Sequence, residues 1–216
     1  MRTYDQTCFI ARALDVLGER WTLLIVRELV LGPRRYSDLL ATLPGMGTSL
    51  LAARLKHLEK YDVVRHTTLP GPGQAAAYAL TERGEALMPV LTGLTVWGAG
   101  LGDPPPGSVE RAAWAVVAMK LTAPGRAAEF TTLTELAIGD ETLWLQGDGE
   151  RVRAEVGAAP LTPALRLTTD QNTFKALARG TLSVDDAVAS KRLEVRGEVA
   201  AARLFFELFR LPDGEK

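Results

Sequence analysis

Residues 47–80 read GTSLLAARLKHLEKYDVVRHTTLPGPGQAAAYAL, and their order decides the fold. Leu51, Leu55 and Leu58 recur at i, i+4 and i+7, the spacing of one buried stripe on an α-helix. β-Branched residues then take over at Val63, Val64, Thr67 and Thr68. A Pro-Gly-Pro-Gly run at 70–73 reads as a turn, and residues 75–80 follow as a second extended segment. A helix running at once into a small hairpin is the shape of a winged helix. One helix fits the DNA major groove, and a hairpin beside it reaches the backbone or the minor groove. The leucine stripe leaves Ser49, Ala52, Ala53, Lys56 and Lys60 near the outer face, where the small alanines let a duplex approach.

Working outward, the preceding residues are helical. Ile10, Leu14 and Leu17 share a face that Gly18 ends, and Trp21, Leu24, Ile25 and Leu29 form the face of a second helix. Gly32-Pro33 stops that helix. Tyr36, Leu39, Leu40 and Leu43 make a short third one, closed by Pro44-Gly45. After the hairpin, a long apolar helix is expected from Thr81 through Leu87, Val90, Leu91, Leu94 and Trp97, with part of its stripe reserved for a second copy of the chain.

Three consecutive prolines at 104–106 cannot continue a helix and mark a linker. The expected organisation is a DNA-binding and dimerisation domain at 1–101, a Pro-rich linker at 102–107 and a second domain at 108–216. Beyond the linker, helices and strands mix. Helices are expected at 108–121, after Asp170, after Ser183 and at 198–209, and strands at 130–138, 143–146, 151–156, 165–168 and around Leu193 and Val195. The last helix is expected to turn Leu204, Phe205, Leu208 and Phe209 inward. The fold class is α+β.

Composition narrows the function. The 47% hydrophobic content supports a packed core, and a net charge of −1 does not by itself advertise a nucleic-acid partner. The halves differ: residues 1–100 carry 11 Lys+Arg against 9 Asp+Glu, leaving 14 against 17 for 101–216. A single cysteine, Cys8, excludes an intrachain disulfide and fits a reducing compartment. No signal peptide is evident, and the longest charge-free apolar run, 17 residues at 86–102, falls short of the ~20 needed to span a bilayer. A cytoplasmic location is expected. His57 and His66 make no metal-ligand spacing with Cys8, the second half contains no histidine for a Ser-His-Asp assembly, and no phosphate-cradling glycine loop occurs. No enzyme, cofactor or metal is expected.

Several separated motifs resemble one family in the right order. They are Cys8 ahead of ALDVLGERW at 13–21, then GPRRYSDL at 32–39, LAARLKHLE at 51–59, YALTERG at 78–84 and VWG at 96–98. Together they resemble the HxlR-type branch of the MarR-like winged-helix regulators over about residues 6–100. The resemblance implies a homodimeric transcription factor. Its paired recognition helices would enter successive major grooves of a roughly palindromic operator, with dimer contacts through the first and last helices. In the second half, GDETLWL at 139–145, LRLTTD at 165–170, GTLSVDDA at 180–187 and LEVRG at 193–197 are similar to the sterol-carrier-protein-2-like (SCP2-like) domain. That similarity implies an α/β sandwich, with an apolar tunnel in lipid-binding members.

Candidate residues follow. Arg54 and Lys56 lie on the groove helix, where cations neutralise phosphates and arginine can grip guanine; the competing reading is a solvated face. Thr48 and Ser49 open that helix and either contact phosphate or cap it. Arg34 and Arg35 begin the third helix and could clamp the backbone, an internal ion pair being the rival for Arg35. Arg65 and His66 stand on the first wing strand, and the wing tip at 71–74 lacks a basic residue. Relatives with a cysteine placed like Cys8 include sensors of electrophiles and oxidants; the rival role is packing at a dimer seam. Trp114, Met119, Trp144, Phe174, Phe205 and Phe209 either line an apolar pocket or fill a core. The expected function is a dimeric DNA-binding repressor answering a hydrophobic effector or a thiol modification. The alternative is a hydrophobic-ligand carrier whose winged helix serves for dimerisation.

Overall fold

The computed structural model describes residues 3–69, 74–102 and 104–212. The wing tip at 70–73 lies outside them. The chain divides into two compact units, one up to Leu91 and one from Thr92.

The first unit has the element order of a winged helix. α1 (Phe9–Leu17), α2 (Thr22–Leu29), α3 (Tyr36–Thr42) and α4 (Thr48–Lys60) precede the hairpin β1 (Val64–Thr68) and β2 (Ala76–Leu80). α5 (Glu82–Glu85) follows, and α6 (Met88–Ala99) spans the division after Leu91. The core is built from Ile25, Val26, Leu29, Leu39, Leu43, Leu51, Leu55 and Leu58, none more than 3% exposed. Burying each large aliphatic side chain contributes ~1.5–3 kcal/mol, so the leucine stripe of α4 is enough to fix the helix on this core.

Two local devices set the wing. Arg34 and Tyr78 exchange backbone hydrogen bonds at 2.9 and 2.8 Å, adding a one-residue bridge to the edge of the β1–β2 hairpin. Thr81 caps α5 by accepting from the Gly84 N–H at 3.0 Å. Gly84 is required there, since a Cβ would stand 2.2 Å from the Val63 carbonyl oxygen. The single long helix expected from Thr81 onward is two: Pro89 lacks an N–H, and the chain turns at Leu87 before α6 begins.

The second unit contains α7 (Ala112–Thr122), a 3-10 turn (Gly125–Glu129), β3 (Thr134–Ile138), β4 (Glu141–Gly147), β5 (Val152–Val156) and β6 (Leu165–Thr169). It closes with α8 (Gln171–Ala178), α9 (Val184–Ala189), β7 (Leu193–Arg196) and α10 (Val199–Leu208). The strands form one mixed sheet in the order β5-β4-β3-β6-β7, with β3 and β6 parallel and the other pairs antiparallel. Asp170 and Ser183 cap α8 and α9, each accepting a backbone N–H at 3.0 Å.

Alternation sorts this sheet into two faces. Thr134 and Leu136 register with Leu145 and Leu143 on one side and with Leu165 and Leu167 on the other; these six side chains and Ile138 form a face that is at most 2% exposed. Glu135, Trp144 and Arg166 occupy the opposite face. On β6 that opposite face carries exposed Thr168, so the buried phenylalanines of α10 pack over Leu165 and Leu167. Within α10 the inward positions are Ala202, Phe205, Phe206 and Leu208, followed by Phe209; Leu204, expected inward, is 44% exposed. Its position falls outside the i, i+3, i+4, i+7 stripe that begins at Ala202.

Candidate nucleic-acid interface

α4 carries the strongest surface. Gly47, with extended backbone, is its N-cap, and no side chain caps the helix. The hydroxyls of Thr48 and Ser49 are therefore not spent on capping; both residues are exposed in the first turn. That turn contains no acidic residue, while His57 and Lys60 sit in the last turn. Its uncapped N–H groups and the positive end of the helix dipole make this end attractive to a phosphate. The Tyr36 hydroxyl donates to the Thr48 carbonyl at 2.6 Å, locking the start of α3 to the start of α4.

Ser49, Ala52, Ala53, Lys56 and Lys60 are all exposed along α4, opposite the leucine stripe. Arg35 and Arg65 are exposed too, Arg35 at the N-cap of α3 and Arg65 on β1. Among the described residues, neither these two arginines nor Lys56 meets an ion-pair partner. Arg34 is half-buried, and its backbone is committed to Tyr78.

Two of the expected contact residues are engaged inside the chain. The Arg54 guanidinium lies 2.6 Å from a Glu19 carboxylate oxygen and donates to the Arg20 carbonyl at 3.3 Å, and its side chain is 14% exposed. It does not stand on the open face with Lys56; one residue further round the helix than Ala53, it points back toward the α1–α2 junction. That junction is strained. Trp21 holds a left-handed φ of 80°, and the Arg20 guanidinium lies 5.1 Å above its ring. His66 sits 2.9 Å from Glu59 of α4 and stacks on Tyr78 at 4.5 Å, which joins the wing to the groove helix. Tyr78 itself is pushed above its usual range by burial and then by Glu59.

The first helix presents a second surface. Phe9 is 82% exposed, Ile10 72% and Leu14 43%, apolar side chains left uncovered among the described residues. Cys8 is exposed at the N-cap of the same helix. The sequence stripe pointed to Ile10 and Leu14 but missed Phe9, which opens the helix.

In the second unit, the candidate pocket residues separate. Met119, Phe174, Phe205 and Phe209 are at most 1% exposed, and Trp114 is half-buried. Phe205 meets Phe209 at 4.9 Å, Phe206 at 5.1 Å and Phe130 at 6.0 Å, so these rings fill the space around one another. Trp144 does not join them. It lies on the opposite sheet face, beside the buried Glu135, which pairs with Arg166 at 2.8 Å and accepts the Ala159 N–H at 2.9 Å. Among the described residues, no group of three or more His, Cys, Asp or Glu side chains could hold a metal, and no helix is long and apolar enough to cross a membrane.

Residues 16–105 match the family model of the HxlR-like helix-turn-helix. The uncharacterized HTH-type transcriptional regulator YvaP of Bacillus subtilis is 38% identical over 93 residues, 43% of this chain and 86% of YvaP. The HTH-type transcriptional regulator YodB of the same organism is 38% identical over 85 residues, 39% of this chain and 76% of YodB. Against the solved reduced form of YodB the identity is 34%, with 46% of this chain and 99% of that chain covered at a TM-score of 0.40.

Proposed function

The chain belongs to the HxlR-like helix-turn-helix family of transcriptional regulators, and on that footing we propose that it is a homodimeric, sequence-specific DNA-binding repressor that reads its operator with α4. One observation carries the reading: α4 exposes Thr48, Ser49, Ala52, Lys56 and Lys60 on the side opposite its buried leucines, with no acidic residue in its first turn. Thr48 and Ser49 hold a phosphate at the helix start, Ala52 lets the duplex come close, and Lys56 reaches the groove. Arg35 and Arg65 grip the backbone on either side, with Arg34 and His66 orienting the wing. Arg54 serves as a support that sets the tilt of α4. A dimer through Phe9, Ile10 and Leu14 places two such helices on a pseudo-palindromic site, inside the cytoplasm where the DNA is.

We read the second unit as SCP2-like; its five-stranded mixed sheet and packed helices support that reading. Its ring-filled core favours a folded dimer extension over an open carrier. Regulation is assigned to Cys8: when its thiolate attacks a small-molecule disulfide, a mixed disulfide forms, one small thiol leaves, and bulk is placed beside Phe9 and Ile10, on the face where the copies meet. If Cys8→Ser leaves oxidant-dependent release from DNA intact, that assignment fails.

The deciding experiment selects bound genomic fragments and titrates the best of them with the wild type and with Lys56→Ala/Arg65→Ala. Loss of these cations lowers affinity and makes the dependence of log K on log[salt] shallower by about 0.9 per phosphate contact removed. Unchanged affinity and slope would reject α4 and the wing as the reading surface.

A further inference from the structure

Arg20 stands in the turn between α1 and α2 and is exposed. Among the described residues it meets no ion-pair partner. The acid next to it in sequence is already engaged, since the Glu19 carboxylate lies 2.6 Å from the Arg54 guanidinium. The Arg20 backbone is held as well: its carbonyl accepts from the Arg54 Nε–H at 3.3 Å. A fixed backbone therefore carries an uncompensated cation.

That cation is parked. Trp21 takes its left-handed φ of 80°, and the Arg20 guanidinium lies over the indole, 5.1 Å from the ring centroid. The edge of the same ring reaches Gly45, where an added Cβ would stand 3.9 Å from Trp21 Cζ2 and Cη2. Gly45 lies two residues ahead of Gly47, the N-cap of α4. One indole thus separates Arg20 from the segment that leads into the groove helix.

The field at this place calls for an anion. Trp21 is the N-cap of α2, so Arg20 adjoins the positive end of that helix as well as the approach to the positive end of α4. Neither helix carries an acidic residue in its first turn, and neither has a side-chain cap. The C-terminal end of α1 answers part of this charge, and Glu19 is matched by Arg54, so a net positive patch remains. Lys60 offers the contrast. It too lies over a ring, 5.5 Å from that of Tyr61, but at the C-terminal end of α4, where the helix dipole already favours a cation.

We propose that Arg20 is a further DNA-contacting residue, a clamp on a backbone phosphate at the rim of the groove that α4 enters. A guanidinium with one flat face on an aromatic ring keeps its in-plane N–H donors, which match two phosphate oxygens. Because the indole holds the head in place beforehand, less side-chain freedom is lost when the phosphate arrives. The contact carries no base preference; it sets how the start of α4 meets the duplex. The inference rests on α4 as the reading helix, and the experiment separates the two.

The best genomic fragment selected above is titrated with the full-length wild type, Arg20→Ala, Arg20→Lys and Lys56→Ala/Arg65→Ala, and contacted phosphates are mapped by ethylation interference. Arg20→Ala is expected to lower affinity about tenfold at low salt and to make the dependence of log K on log[salt] shallower by about 0.9 for each of the two protomers. One interfering phosphate per half-site disappears with it. Arg20→Lys keeps the charge, and with it the slope and that phosphate. Urea midpoints certify that each variant is folded, and a merely structural role would move them without moving the slope. A wild-type slope and phosphate pattern for Arg20→Ala, beside a shallower slope for Lys56→Ala/Arg65→Ala, overturns the Arg20 contact alone. A slope for Arg20→Lys as shallow as that of Arg20→Ala overturns it as well. Wild-type slopes for both alanine variants, or a chain that selects no fragment, overturn the reading helix and the clamp together.

Discussion

The guanidinium of Arg54 and the carboxylate of Glu19 meet at 2.6 Å across 35 positions of sequence, tying the middle of the groove helix to the turn that ends α1. Arg54 is the less exposed partner, 14% against 41%. The pair therefore acts as a brace on α4, and Arg54→Ala removes side-chain packing as well as charge. A loss of ~1–2 kcal/mol in folding stability is expected, discounted for the solvent screening at Glu19 and read from urea unfolding. Binding to operator weakens through helix position, so the salt slope stays at the wild-type value, whereas Lys56→Ala lowers it. An equal drop in slope for Arg54→Ala would show that Arg54 leaves Glu19 and reaches phosphate in the complex.

This pair also marks the boundary of what the sequence could reveal. The leucine stripe of α4 and the hairpin were legible because they are periodic and local: Leu51, Leu55 and Leu58 are all buried, and the strands fall within a residue of their expected limits. Asp170 and Ser183 were readable as caps because that signal too is local, whereas Thr81 was legible only as the start of a helix. Periodicity left Arg54 open because its position lies between the buried and outer faces, and the choice is made by a carboxylate far away in sequence. Trp144 illustrates the same limit in a sheet. An aromatic residue in an apolar strand reads as core, but register with Glu135 places it on the face opposite Leu143 and Leu145. Strand alternation was visible; which face the helices would choose was not.

The apolar face of α1 predicts an assembly. Phe9 and Ile10 are more than two-thirds exposed, a large cost in water for side chains that bury ~1.5–3 kcal/mol each. Phe9→Asp/Ile10→Asp is expected to leave the fold and the β1–β2 hairpin intact and to shift the sedimentation coefficient from dimer to monomer. Operator affinity falls in step, since one recognition helix alone reads half a site. A double variant that still sediments as a dimer would move the interface elsewhere.

Asp148 predicts an acid limb for the second unit. The Arg151 and Glu150 backbone N–H groups and the Arg153 guanidinium hold its carboxylate down to about 2, from an ordinary value of 3.8. A group depressed in the folded state stabilises above its unfolded value, and that contribution is lost as pH falls through its folded value. The β4–β5 turn therefore keeps its full support above pH 3.8 and loses it toward pH 2. Carbon-detected titration of Asp148 should place its midpoint near 2, and Asp148→Asn should flatten the decline of the urea midpoint between those limits. A midpoint near 3.8 would mean the turn is open in solution.

The interlocked rings predict how the second unit answers an apolar ligand. Phe205 is fully buried and touches Phe130, Phe206 and Phe209 at 4.9–6.0 Å. If the rings fill the core, Phe205→Ala removes ~3–5 kcal/mol, because the transfer energy of the ring is lost and the neighbours collapse only in part. The vacated space is lined by apolar side chains and stays dry, so it should acquire affinity for a benzene-sized probe that the wild type lacks. Ligand-observed NMR and the shift of the unfolding temperature with added benzene separate the cases. Wild-type protein that already takes up the probe, with Phe205→Ala costing under ~1 kcal/mol, would mean that the rings border a cavity, and would restore the apolar effector to this unit.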